Sequence, residues 1–184
     1  MFDGVGGFTI GFDNADNEYY QTLYSNQYEP SRKTQDAFEV GKYRFPDMEH
    51  IGIDVAEIPD KKFQEMKENG VNMIVGGFPC QDYSVAHTGA KGIQGKKGVL
   101  FWQIIRATEN IKPKYLVLEN VDRLLKSPTS QRGRDFAIML KSFADLGYSL
   151  EWRVINAAEY GEAQRRRRVF FFVYRNDTPW DKRV

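Results

Sequence analysis

The chain has 184 residues, 41% hydrophobic and 28% charged, which supplies enough apolar side chain for one core of ordinary domain size. A net charge of +1 excludes a globally basic nucleic-acid binder, so any cationic surface has to be local. One cysteine excludes an internal disulfide, and no apolar run approaches the length of a membrane span. With no signal peptide in view either, the expected location is intracellular and cytoplasmic, at the nucleoid if the source is bacterial or phage, without a membrane partner.

In chain order, the opening Phe2-Asp3-Gly4-Val5-Gly6-Gly7-Phe8 reads as a glycine-rich turn before a short helix. Such a turn lets backbone amides approach a ligand closely, although a plain turn has the same composition. No Gly-Lys-Ser/Thr follows, which argues against a phosphate loop. An apolar run over 22–25 predicts a strand, and Ser31 predicts the cap of a helix running towards Tyr43. Asp60 is the expected cap of a helix over 61–68, followed by a strand over 72–77. Helical spacing over 100–111 stops before Pro113, a strand covers 115–119, and helical spacing over 134–146 stops at Gly147. Strands over 152–156 and 169–174 complete the chain, and Phe170-Phe171-Phe172 reads as buried on both faces. There is no internal repeat and no clear linker.

Strands alternating with helices predict an α/β fold with a mostly parallel sheet and helices on both faces. Ligands in such folds sit beyond the carboxyl ends of the strands. Cys80 follows one strand and Glu119 ends the next, so both fall at one mouth.

A lone cysteine is more often an inert buried thiol than a nucleophile. Here Gly77 and Pro79 indicate a shaped loop, and Arg165-Arg166-Arg167-Arg168 is a reservoir of the positive charge that favours a thiolate. Four like charges are usually a solvated patch, but this run leads directly into a strand. Alternation along an extended backbone puts Arg166 and Arg168 on one side and Arg165 and Arg167 on the other. Glu119-Asn120-Val121 ends an apolar strand, which leaves the carboxylate half-desolvated; a turn cap is the plain alternative. A cysteine peptidase would need a histidine partner, and only His50 and His87 exist. One cysteine and two scattered histidines make no metal ligand set, so no metal is expected.

In order, the chain carries Phe-x-Gly-x-Gly-Gly-Phe (2–8), Gly-Phe-Pro-Cys-Gln-x-Tyr-Ser (77–84), Gly-x-Leu-Phe (98–101), Glu-Asn-Val (119–121) and Gln-Arg-Arg-Arg-Arg-Val (164–169). This combination resembles the cytosine-C5 DNA methyltransferase family from Phe2 to about Arg175. The resemblance implies a Rossmann-like methyltransferase fold, with residues 1–184 as a catalytic domain and the target-recognition domain absent. It implies Cys80 as the nucleophile that adds to C6 of a flipped cytosine. Glu119 would hold the N3 and amino edge, and Arg166 and Arg168 would steady the base and the catalytic loop. S-adenosylmethionine would be held by Phe2, Gly4, Gly6 and Gly7 around its methionine part. Tyr28 would stack on adenine, Asp54 would bond the adenine amino group beside Val55, and Pro79 and Leu100 would line the pocket. The substrate, double-stranded DNA, would meet Gln81, Ser84, Asn120 and Val121, with Lys91, Lys96 and Lys97 of a closing loop on phosphate.

Two departures accompany the resemblance. The family's ribose-binding acid aligns with Gln27, which can bond a hydroxyl without charge; Glu29 has the wrong spacing. Met1 stands immediately before the motif phenylalanine, where the family's central first strand should precede it. The strand is lost, a partner supplies it, or the sheet is built differently. Target recognition would come from a second polypeptide, or the chain is truncated. An RNA cytosine-C5 methyltransferase shares the same chemistry. A non-catalytic remnant or regulatory subunit shares only the fold.

Overall fold

The computed structural model describes residues 1–78, 100–126 and 132–181. Its elements are α1 (Gly7–Asp16), β1 (Tyr24–Asn26), α2 (Asp36–Arg44), β2 (Glu49–Ile51), α3 (Asp60–Glu68), β3 (Met73–Gly77), α4 (Leu100–Ile111), β4 (Tyr115–Val121), α5 (Arg134–Asp145), β5 (Tyr148–Asn156) and β6 (Arg167–Arg175). Short 3-10 turns occupy Val55–Glu57, Asp122–Lys126 and Ala157–Tyr160.

The strands form two sheets. One has the order β3-β4-β6-β5; the other is the pair β1-β2. β1 runs parallel to β2 and β3 parallel to β4, whereas β6 is antiparallel to both β4 and β5. The reason lies in the connections. α4 carries the chain back across the sheet between β3 and β4. Only residues 157–166 join β5 to β6, with a single 3-10 turn and no crossover helix, and so short a link closes a hairpin. Alternation of strands and helices does not foretell that hairpin.

The two faces of the larger sheet differ. Ile74, Leu116, Leu118, Val169, Phe171 and Val173 point to one face and are buried there with Phe63 of α3, Phe101 and Ile104 of α4, and Met139 and Phe143 of α5. Their strand neighbours Val75, Val117, Phe170 and Phe172 are only half-buried. The phenylalanine run is therefore buried on one face, not on two. Phe172 stacks on Tyr115 with ring centroids 5.8 Å apart and takes the edge of Trp180 at 5.1 Å.

This second face borders a cavity of about 1020 Å3 whose other lining includes Phe12 of α1, Tyr19 and Tyr20. The cavity continues between the two sheets, where Tyr24–Asn26 of β1 and Met73, Ile74 and Val75 of β3 line it. Among the described residues no strand pairs with both edges. Among the described residues, backbone bonds from Met1 and Asp3 reach the two edges. The Met1 ammonium donates to the Val75 carbonyl at 2.7 Å, and the Asp3 amide donates to the Asn26 carbonyl at 3.1 Å. Phe2, with φ of 55°, turns the backbone between those bonds. Burial holds the Met1 ammonium below its ordinary pKa, against the opposing pull of Asp3.

Helix ends follow local chemistry. α2 starts after Gln35, not at Ser31. The Gln35 side chain accepts from the Glu29 amide at 2.8 Å and donates to the Glu29 carbonyl at 3.0 Å, which closes a turn over 29–35 and delays the helix. Pro59 takes the cap position of α3 and Asp60 lies in its first turn, where a carboxylate suits the helix dipole. Gly147, with φ of 80°, follows α5 and turns the chain into β5. No helix among the described residues is long and apolar enough to cross a membrane.

Candidate active site

The parallel register of β3 and β4 places Gly77 beside Glu119 at their carboxyl ends. A Cβ at Gly77 would lie 3.0 Å from Glu119 Oε2, so the glycine leaves room for the carboxylate. Glu119 Oε1 accepts from Arg168 Nε at 2.7 Å, and both side chains are about one-fifth exposed. This charge-assisted bond fixes one carboxylate oxygen and leaves the other on the Gly77 side.

Asn120 is buried, at 1% exposure. Its Nδ2 donates to the Phe78 carbonyl at 2.9 Å, and its Oδ1 accepts from the Val121 amide at 2.8 Å. Its amide thus ties the end of β4 to the residue that leads out of β3. Phe78 is itself buried, with its ring 6.1 Å from that of Phe101. The backbone two residues before Cys80 is therefore anchored. Cys80 lies outside the described residues, as do Pro79, Gln81, Ser84, Lys91, Lys96 and Lys97. Val121 is half-buried at the same strand end.

β6 begins at Arg167, which sets which arginines are held. Arg167 Nε lies 3.2 Å from Asp122 Oδ2, while Arg168 turns to Glu119. Arg165 and Arg166 precede the strand and are exposed. The backbone of Arg166 bonds Gln164 and Ala157, but its side chain makes no ion pair among the described residues. The structure brings Arg168 to Glu119 and does not bring Arg166 there, because regular strand alternation begins only at Arg167 and leaves Arg166 outside it. Gly77 and Phe78 belong to the 77–84 motif, but their contacts with Glu119 and Asn120 are revealed only by the fold, and Asp122 carries no signal of its own.

The glycine turn sits beside the ends of β1 and β2. Gly4 and Gly6 have φ of 60° and 87°, the region that favours glycine. A Cβ at Gly6 would collide with the Phe45 ring, whereas at Gly4 and Gly7 it would enter open space. The Gly4 amide donates to Gln27 Oε1 at 2.8 Å, so the buried Gln27 side chain holds the turn. Asn26 Nδ2 donates to the carbonyls of Ile51 and Ile53 at 3.0 and 2.9 Å, joining the two strand ends. Tyr28 follows and is 40% exposed. Asp54 caps the 3-10 turn through Oδ1, which accepts from the Ala56 amide at 2.8 Å; Val55 beside it is buried. Phe2 is half-buried against the core, as is Leu100 at the start of α4. Among the described residues, no three His, Cys, Asp or Glu side chains group as metal ligands.

The family model described as C-5 cytosine-specific DNA methylase matches residues 1–183. The type II methyltransferase M.Sau3AI of Staphylococcus aureus is 59% identical over 184 residues, covering 99% of this chain and 44% of that protein. The type II methyltransferase M.NgoBI of Neisseria gonorrhoeae is 30% identical over 181 residues, covering 98% of this chain and 51% of that protein. Among solved structures, the Dnmt2 methyltransferase of S. pombe matches with a TM-score of 0.70 at 17% identity, over 96% of this chain and 50% of that one. That likeness supports the Rossmann-like methyltransferase fold. The chain spans about half the length of the relatives it matches.

Proposed function

The chain belongs to the C-5 cytosine-specific DNA methylase family, and from that membership we propose that it is the catalytic portion of a DNA (cytosine-5)-methyltransferase. The observation that carries this reading is the Glu119 carboxylate, held by Arg168 at 2.7 Å beside Gly77, at the mouth where β3 leads towards Cys80.

Cytosine C5 is a poor nucleophile. In the proposed reaction the target base leaves its duplex and the Cys80 thiolate adds to C6, which makes C5 enamine-like. Glu119 binds the N3 and amino edge and assists protonation at N3, which draws electron density away from C6 and eases the addition. Arg168 orients Glu119 through one oxygen, so the other is free to meet the base. Asn120 fixes the Phe78 carbonyl, two residues before Cys80 in the sequence. After transfer, loss of the C5 proton to solvent re-forms the C5–C6 double bond and expels Cys80 as the thiolate.

The residues fit S-adenosylmethionine as the cofactor. The open space beside Gly4 and Gly7, which a Cβ would enter, is a cradle for the methionine part along with Phe2 and Gly6. The exposed Tyr28 ring offers a face to adenine, and Asp54, with Val55, an acceptor for its amino group; Pro79 and Leu100 complete the set. When bound, this cofactor supplies the electrophilic methyl group that C5 takes. The reaction needs no metal.

Double-stranded DNA is the proposed substrate, with Gln81, Ser84 and Val121 near the base. Lys91, Lys96 and Lys97, with the exposed Arg165 and Arg166, would meet phosphates. Target recognition would come from further sequence or a second polypeptide, and the proposed location is the cytoplasm. Replacing Cys80 tests the reading. Cys80→Ser should abolish transfer of labelled methyl from S-adenosylmethionine to DNA, while the dissociation constant for S-adenosylhomocysteine stays within about twofold. A variant that still methylates would overturn the mechanism.

A further inference from the structure

Arg106 occupies the middle of α4 among residues that face the core. An arginine there would ordinarily extend into solvent. Its side chain is instead only 17% exposed and reaches back some fifty residues in sequence. Nη1 donates to the Ala56 carbonyl at 3.2 Å, and Nη2 donates to the carbonyls of Val55, at 3.4 Å, and Ile58. Nε lies 3.3 Å from Asp60 Oδ1, and the guanidinium sits 5.0 Å from the centre of the Phe63 ring. The fork therefore gathers carbonyls along and just beyond the 3-10 turn Val55–Glu57.

The amino end of the same turn is held by Asp54, whose Oδ1 accepts from the Ala56 amide. Ala56 is thus gripped at both of its backbone polar groups: its N–H by Asp54 and its C=O by Arg106. Asp54 and Arg106 therefore act on the same residue. The second Asp54 oxygen takes no hydrogen bond among the described residues.

We infer that Arg106 is a positioning residue for cofactor recognition, clamping the 54–58 loop so that Asp54 presents its free oxygen to the adenine amino group. The inference rests on the cofactor reading above. A planar fork is needed for the clamp, because an ammonium is a point charge that cannot span separate carbonyls in fixed directions.

The test is a calorimetric comparison of S-adenosylhomocysteine with S-inosylhomocysteine, in which a 6-oxo group replaces the 6-amino group. The unaltered chain should prefer the adenosyl ligand by about tenfold or more, since a site built to bond an amino group rejects an analogue without one. In Arg106→Gln and Arg106→Lys that preference should fall to about twofold or less. A purely structural role would weaken both ligands alike and keep the ratio, and that result overturns the inference. Should Arg106→Gln fail to fold, a wild-type ratio in Arg106→Lys, which keeps the charge and most of the stem, overturns it equally. If the unaltered chain shows no preference, the assignment of Asp54 to adenine fails first, and this inference falls with it.

Discussion

At the carboxyl ends of β3 and β4, Glu119 is fixed by Arg168 at 2.7 Å and Asn120 by the Phe78 carbonyl at 2.9 Å. Asn120 points to the face whose Leu116, Leu118 and Phe171 are wholly buried, whereas Glu119 and Arg168 lie on the half-buried face with Val117 and Phe170. At the ends of β1 and β2, the glycine turn depends on the Gln27 side chain at 2.8 Å and on one backbone bond from Asp3, beside a cavity of about 1020 Å3. The first region inherits its geometry from close packing around Asn120, which permits few alternatives, and from the charge-assisted bond that holds Glu119. The second inherits it from a small number of hydrogen bonds, each worth about 1 kcal/mol net. Changes at the first should therefore act on chemistry or on global stability, and changes at the second on cofactor affinity.

The largest effect should come from Glu119→Gln. Rapid-quench turnover is expected to drop by roughly 10²–10⁴, with cofactor affinity near wild type. A near-normal rate would remove Glu119 from its role. Two adjacent phenylalanines sharpen the contrast between faces. Urea unfolding of Phe171→Ala should show a loss of about 3–5 kcal/mol, because the ring fills the buried face. Phe172→Ala, from the half-buried face, should lose about 1–2 kcal/mol. Equal losses would contradict the asymmetry.

The mildest change is Gln27→Ala, which removes the acceptor for Gly4. Cofactor binding should weaken about 2- to 10-fold while turnover at saturating cofactor holds. A fall in turnover instead would mean that the two regions are not separable in this way.

Much of this was legible in the sequence where periodicity is strong. α4 runs over the expected residues 100–111, and β3, β4 and β6 appear where apolar runs placed them. Glu119 stands at a strand end for the same reason. β2 went unseen because Glu49–Ile51 is only three residues long and none of them is buried. The antiparallel β5–β6 pair went unseen because pairing direction depends on the path of the connection. Arg167 and Arg168 turn to opposite partners as alternation requires, but the start of the strand, which decides that Arg166 is outside it, is not written in a run of four identical residues. Gln27 drew notice only for its lack of charge; its bond to Gly4 needed the fold. Arg106 gave no signal, since an arginine inside an amphipathic helix normally marks the solvent side.

The central claim is that Cys80 attacks C6 of cytosine with Glu119 on the same base. It is tested most directly by incubating the chain, completed by the sequence or polypeptide that supplies target recognition, with S-adenosylmethionine and duplex DNA in which every cytosine carries a 5-fluoro group. The substitution leaves no C5 proton to lose after methyl transfer, so Cys80 cannot be expelled. Mass spectrometry of the denatured protein should find a covalent nucleotide adduct on the peptide that contains Cys80, absent from Cys80→Ser. A cofactor-bound, folded chain that forms no adduct, or forms one elsewhere, would contradict the account.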